Sequence, residues 1–268
     1  MNDSSVVIIL LIASAFFAGA INSLAGGGTL LTFPVLLAAL SVEYGDRAGA
    51  VANATSTLAL MPGAFAGAWG YRKELRESKA FAMTLVWPSL IGGLVGSLLV
   101  ILWPERFASL VPWLLLSAAV LFLIQPSVNR YLNSRRPDSA SANPATKIAV
   151  IGLQFLVAVY GGYFGAGIGI LMLSALGFLG LVHIYRANAV KTFLSSCINA
   201  VAAFVFIATG WVDYPRAGLM AVAAIAGGYA GARLGRRLPK AVVRWVVIAI
   251  AFGLAGYYAW QQFGAKSS

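Results

Sequence analysis

Two stretches of this chain are each longer, without a single Asp, Glu, Lys or Arg, than one bilayer crossing can use. They are 4–42 and 148–185. As straight helices they would measure about 57 Å at 1.5 Å per residue, against a hydrocarbon core of about 30 Å. Each holds a glycine cluster partway along: Ala25-Gly26-Gly27-Gly28-Thr29 in the first, Gly161-Gly162 and Gly165-Ala166-Gly167-Ile168-Gly169 in the second. Glycine weakens helices and permits tight backbone turns. Each run therefore reads as helix, glycine turn, helix. Six shorter uncharged stretches, 48–71, 80–104, 107–129, 192–212, 217–232 and 245–265, match roughly one crossing each.

A chain built this way is an all-α polytopic membrane protein. Apolar residues make up 60% and charged residues only 10%, where soluble domains carry about 25% charged residues. So few charges can neither cover a soluble surface nor keep a disordered chain solvated. The opening Met1-Asn2-Asp3-Ser4-Ser5 lacks the positive region of a cleaved signal peptide. Single copies of cysteine (Cys197) and histidine (His183) exclude a disulfide framework and Cys- or His-cluster metal chemistry. No cofactor and no metal is expected. The net charge of +11 is no nucleic-acid signal either. Such binding needs Lys and Arg on one folded polar face, whereas here they sit in short clusters between apolar runs, as cytoplasmic loops do.

The same charges decide the topology. If each long run crosses once, the two sides hold 10 and 9 Lys/Arg. If each goes in and returns to the same side, one side holds only Arg47, Arg106, Arg216 and Lys266, and the other holds 15. Only the second arrangement obeys the positive-inside rule. It places both termini outside the cytoplasm and leaves open whether each arm crosses fully or re-enters.

The two halves also match. Asn53-Ala54-Thr55-Ser56-Thr57 pairs with Asn188-Ala189-Val190-Lys191-Thr192, Gly92-Gly93-Leu94-Val95-Gly96 with Gly227-Gly228-Tyr229-Ala230-Gly231, and Pro104 with Pro239, all at one common spacing. Gly26 and Gly28 pair with Gly165 and Gly167 at a slightly larger one. The basic loop falls early in the first half (71–79) and late in the second (233–244), so the halves favour opposite orientations. That is expected of inverted repeats, common in secondary transporters with sites at broken helices near the midplane. The predicted layout is a first repeat over 1–129, a cytoplasmic linker over 130–147 and a second repeat over 148–268 within one membrane domain. Each repeat has a glycine-broken in-and-out pair plus three transmembrane helices.

The stretch Ala18-Gly19-Ala20-Ile21-Asn22-Ser23-Leu24-Ala25-Gly26-Gly27-Gly28-Thr29, the following Phe33-Pro34 and Asn53-Ala54-Thr55-Ser56 resemble the TauE/SafE family of sulfite exporters and sulfonate-associated permeases. Gly165-Ala166-Gly167-Ile168-Gly169 and Arg186-Ala187-Asn188 fit the same pattern, although the second glycine run is more interrupted than the first. The resemblance spans nearly the whole chain. It implies a bacterial inner-membrane permease that moves small sulfur-containing or carboxylate anions, often outward.

The residues themselves favour an anion. All eight acidic residues, Asp3, Glu43, Asp46, Glu74, Glu77, Glu105, Asp138 and Asp213, fall in loops or termini, and none lies inside the predicted spans. A proton relay or cation site would place a carboxylate within them, and an enzyme would need a carboxylate pair, a triad or a metal cluster. An anion needs donors instead, and amides at a helix start attract negative charge. The expected substrate-binding set is Asn22, Ser23, Gly26, Gly27, Gly28, Thr29, Asn53, Thr55, Ser56, Gly165, Gly167, Asn188, Lys191, Thr192 and Ser195. The competing account is that glycine and small polar residues merely let helices pack closely. Lys191 is either an anion-binding charge or a lysine snorkelling to the interface. The seven tryptophans read as interfacial anchors, and Arg233, Arg236 and Arg237 as topological charges. The expected partners are a small anionic substrate and membrane lipid, without nucleic acid. Assembly into a homo-oligomer, a channel of the same fold, a carboxylate permease and a non-transporting scaffold all stay open.

Overall fold

A computed structural model describes residues 3–24, 27–134, 144–179, 181, 183–234 and 240–260, and these are helical apart from short turns. In chain order the helices are α1 (Asp3–Leu24), α2 (Thr29–Tyr44), α3 (Ala48–Gly70), the short α4 (Arg72–Glu77), α5 (Lys79–Leu102), α6 (Pro104–Ser134), α7 (Pro144–Tyr163), α8 (Ile168–Phe178), α9 (Ile184–Ala208), α10 (Tyr214–Leu234) and α11 (Lys240–Ala259). A 3-10 turn, Gly45–Arg47, joins α2 to α3. Among the described residues five helices are long and apolar enough to cross a membrane, with spans at 5–22, 79–102, 104–127, 144–163 and 185–208. In such helices every backbone group is satisfied within the segment, which hydrocarbon demands.

Both long uncharged runs break at their glycines. α1 stops just before the first cluster, where Gly27 takes φ +93°. α7 stops at Tyr163, and Gly165 and Gly167 adopt φ +82° and +79° before α8 begins. These left-handed conformations cost any residue with a Cβ about 1 kcal/mol or more. The first run doubles back, because Val7 and Leu10 near the start of α1 share a groove with Ala38 and Ala39 near the end of α2. α2 and α8 have 16 and 11 residues, about 24 and 16 Å of helix. Both are shorter than the hydrocarbon core of about 30 Å.

Loop contacts sort the helix ends. Arg216 at the start of α10 pairs with Glu43 at the end of α2 (3.1 Å), and Arg47 lies over the Trp211 ring. At the opposite end Arg186, opening α9, pairs with Glu77 of α4 (2.7 Å). α8 feeds into α9 at this second end, so the second run also returns towards the end where α7 began.

The main helix pairings are the same from either half. α1 packs along α10 and α5 along α7; α3 meets α10 and α5 meets α9; α3 meets α9 and α6 meets α11. Exchanging α1, α2, α3, α5 and α6 with α7 to α11 reproduces each pair. The two closest seams rest on glycine. A Cβ on Gly227 would lie 1.8 Å from the Phe16 carbonyl oxygen, and one on Gly92 2.6 Å from that of Phe155. Gly92 and Gly227 are one of the pairs at the common spacing in the sequence. Without a hydrophobic force between helices in lipid, such backbone-to-backbone approach supplies much of the association.

Candidate functional site

Both glycine turns lean on the same stretch of α6. A Cβ on Gly27 would fall 2.3 Å from the Phe122 ring, and one on Gly167 3.2 Å from Leu121. The turns thereby border one cavity of about 70 Å³, where a single water needs about 10–15 Å³. Asn22, Gly27 and Thr29 form its wall on the first turn, and Phe164, Gly165, Ile168 and Gly169 on the second. α3 adds Thr57, Leu60, Gly63, Ala64 and Gly67, and α9 adds Lys191, Thr192, Ser195 and Asn199.

Lys191 dominates the electrostatics. It is only 8% exposed and bonds to no other described residue. An unpaired ammonium in so enclosed a place is costly. Its stem lies against α8, since a Cβ on Gly169 would stand 3.0 Å from Lys191 Cδ and 3.6 Å from Nζ. The α8 start adds amide N–H groups, because the first turn of a helix has no intrahelical acceptors. Asn22 is oriented by the first turn: the Gly28 N–H donates to its Oδ1 at 2.8 Å, leaving the NH₂ end as a donor.

Seven of the expected residues therefore share the cavity: Asn22, Gly27, Thr29, Gly165, Lys191, Thr192 and Ser195. Others lie beside it as supports. Gly28 orients Asn22. The Asn53 amide donates to the Tyr163 carbonyl at 3.0 Å, tying α3 to the end of α7. Thr55 accepts the backbone N–H of buried Asp213 at 3.0 Å. Ser56 and Thr32 share a hydrogen bond of 2.5 Å. Gly167 faces α6, and Asn188 is half-buried in α9 outside the lining. Gly26 and the Ser23 side chain lie outside the described residues.

Thr57 and Asn199 escaped the sequence reading. Thr57 is the partner of Thr192 at the common spacing of the two halves. Asn199 falls on the helical face already marked by Lys191 and Ser195, at i+8 and i+4. Both signals were present in the chain.

The cavity is closed towards the Arg216 end. Phe164 packs edge-on against Phe33 at 5.3 Å, and Tyr163 against Phe107 at 5.2 Å. Beyond this aromatic layer Arg216 bridges Asp213 and Glu43. Gly67 and Lys191, by contrast, lie within about two helical turns of the Glu77–Arg186 end.

The Gly169–Lys191 contact yields a mild test. Gly169→Ala pushes the lysine stem by a few tenths of an ångström without removing its charge or breaking a helix. The melting temperature should stay put, because the neighbour that gives is the flexible side chain of a lysine.

The long apolar helices mark a multi-pass membrane protein, and the family its sequence matches makes it a transporter. Residues 11–258 match the family described as sulfite exporter TauE/SafE, and the chain belongs to it. Similar proteins include the probable membrane transporter protein ORF9 of a Sinorhizobium species, 25% identical over 91% of this chain and 89% of its own. A probable membrane transporter protein of Haemophilus influenzae is 25% identical over 94% of both chains. The probable membrane transporter protein YfcA of Escherichia coli K12 is 28% identical over 84% of this chain and 77% of its own. No solved structure matches the chain significantly.

Proposed function

We propose that this transporter exports a small oxyanion, such as sulfite or a sulfonate, across the bacterial inner membrane by alternating access. The observation that carries this reading is Lys191, without a partner among the described residues, 8% exposed, and lining a cavity that both glycine turns border. A buried cation without a protein carboxylate is offset when an anion binds. The halves 1–129 and 148–268 act as inverted repeats joined by the 130–147 linker, and the exchangeable helix pairing supports this. The 15-to-4 split of basic residues supports a cytoplasmic side at the Glu77–Arg186 end and both termini in the periplasm. The aromatic layer then closes the periplasmic side, and the cavity is loaded from the cytoplasm.

An inside-negative potential drives anion export by about 2.3 kcal/mol per charge per 100 mV, so no coupling ion is required. The test is sulfite and methanesulfonate flux in proteoliposomes with an imposed potential. Flux should saturate, show counterflow, and rise several-fold with a driving potential of about 100 mV. Saturable flux indifferent to the potential overturns uniport; flux without saturation or counterflow points to a channel.

A further inference from the structure

The walls of the cavity differ in chemistry, and the difference fixes the charge of the guest. Among the described lining residues Lys191 is the one ionisable group. Donors stand on the other walls: Thr192 and Asn199 of α9, whose side chains bond to no other described residue, Thr29 and the NH₂ end of Asn22 on the first turn, and the first amides of α8. The α3 wall is different. Leu60, Gly63, Ala64 and Gly67 have no polar side chain, and Thr57 donates its hydroxyl proton to the Asn53 carbonyl at 2.8 Å. That wall presents only carbon and oxygen lone pairs, which repel anionic oxygen.

We infer that the site takes monoanions, such as hydrogensulfite or a small alkylsulfonate, and rejects dianions such as sulfate and fully ionised sulfite. This rests on the proposed anion site. One ammonium offsets one negative charge. A second would be buried uncompensated against α3, a situation that is strongly destabilising.

The experiment is titration calorimetry on the purified full-length protein at constant ionic strength, using methanesulfonate, sulfate and sulfite. Methanesulfonate should bind with an affinity that does not change across the second ionisation of sulfurous acid. Sulfate should bind at least about 100-fold more weakly, as a second buried charge demands. Sulfite affinity should fall about tenfold per pH unit above that ionisation, because the hydrogensulfite fraction falls by that factor. Sulfate binding as tightly as methanesulfonate, or sulfite affinity flat through its ionisation, would overturn the charge selectivity and leave the transport reading standing. A parallel fall for methanesulfonate would assign the pH effect to the lysine and likewise overturn the selectivity. Binding of none of the three would remove the anion site itself.

Discussion

Lys191→Gln is expected to reduce anion affinity by roughly a thousandfold while leaving the empty protein at least as stable as before. Two unit charges about 4 Å apart interact by about 4 kcal/mol at an effective dielectric constant of 20. At about 1.4 kcal/mol per tenfold, that is about three decades of affinity. Stability should hold for a separate reason. Lys191 has no partner among the described residues, so its removal orphans no carboxylate and relieves a buried charge. The signature is therefore split: the melting temperature without anion is unchanged or raised, and the upward shift with saturating methanesulfonate disappears. A lysine that merely snorkels to the interface would lose neither binding nor transport on this substitution.

Gly227→Ala is expected to lower the melting temperature by several degrees, and neighbouring Gly228→Ala to change it little. The added Cβ at 227 would stand 1.8 Å from the Phe16 carbonyl oxygen, a main-chain atom that moves only if α1 and α10 separate. At 228 the nearest atom is the Gly19 carbonyl oxygen at 3.8 Å, an ordinary contact. Overpacking of this kind costs about 1–3 kcal/mol, and about 1 kcal/mol shifts a chain of about 150–250 residues by about 2–4 °C. Gly92→Ala, in the matching seam between α5 and α7, should act in the same direction, since its Cβ would meet the Phe155 carbonyl at 2.6 Å. Equal thermal stability of the 227 and 228 variants would mean that the seam is looser than its geometry implies.

The framework was legible because its causes are local. An uncharged run as long as 4–42 must bend somewhere inside a bilayer, and Gly27 and Gly165 are where positive φ is cheapest. The common spacing of the two halves announced the Gly92 and Gly227 seams. The cavity was legible only in part, because small polar residues in membranes serve packing and binding alike. Asn53 and Ser56 have the composition of a site, yet one braces α7 and the other α2. Nothing in their own neighbourhood distinguishes them from Thr192 and Ser195; the difference lies in which helix each side chain meets. The aromatic layer of Phe33, Phe107 and Phe164 was invisible for the same reason. Its three rings come from three separate segments and read as ordinary apolar residues until the helices are packed.

An anion enclosed by the two glycine turns and Lys191 can be seen directly. Hydrogenselenite is a close analogue of hydrogensulfite with a strong anomalous signal. A crystal of the full chain soaked in it should show one selenium peak within about 4 Å of Lys191 Nζ, the reach of a charged contact, between Gly27 and Gly165 and absent from the Lys191→Gln protein. A peak elsewhere, or one that survives the substitution unchanged, would contradict that enclosure.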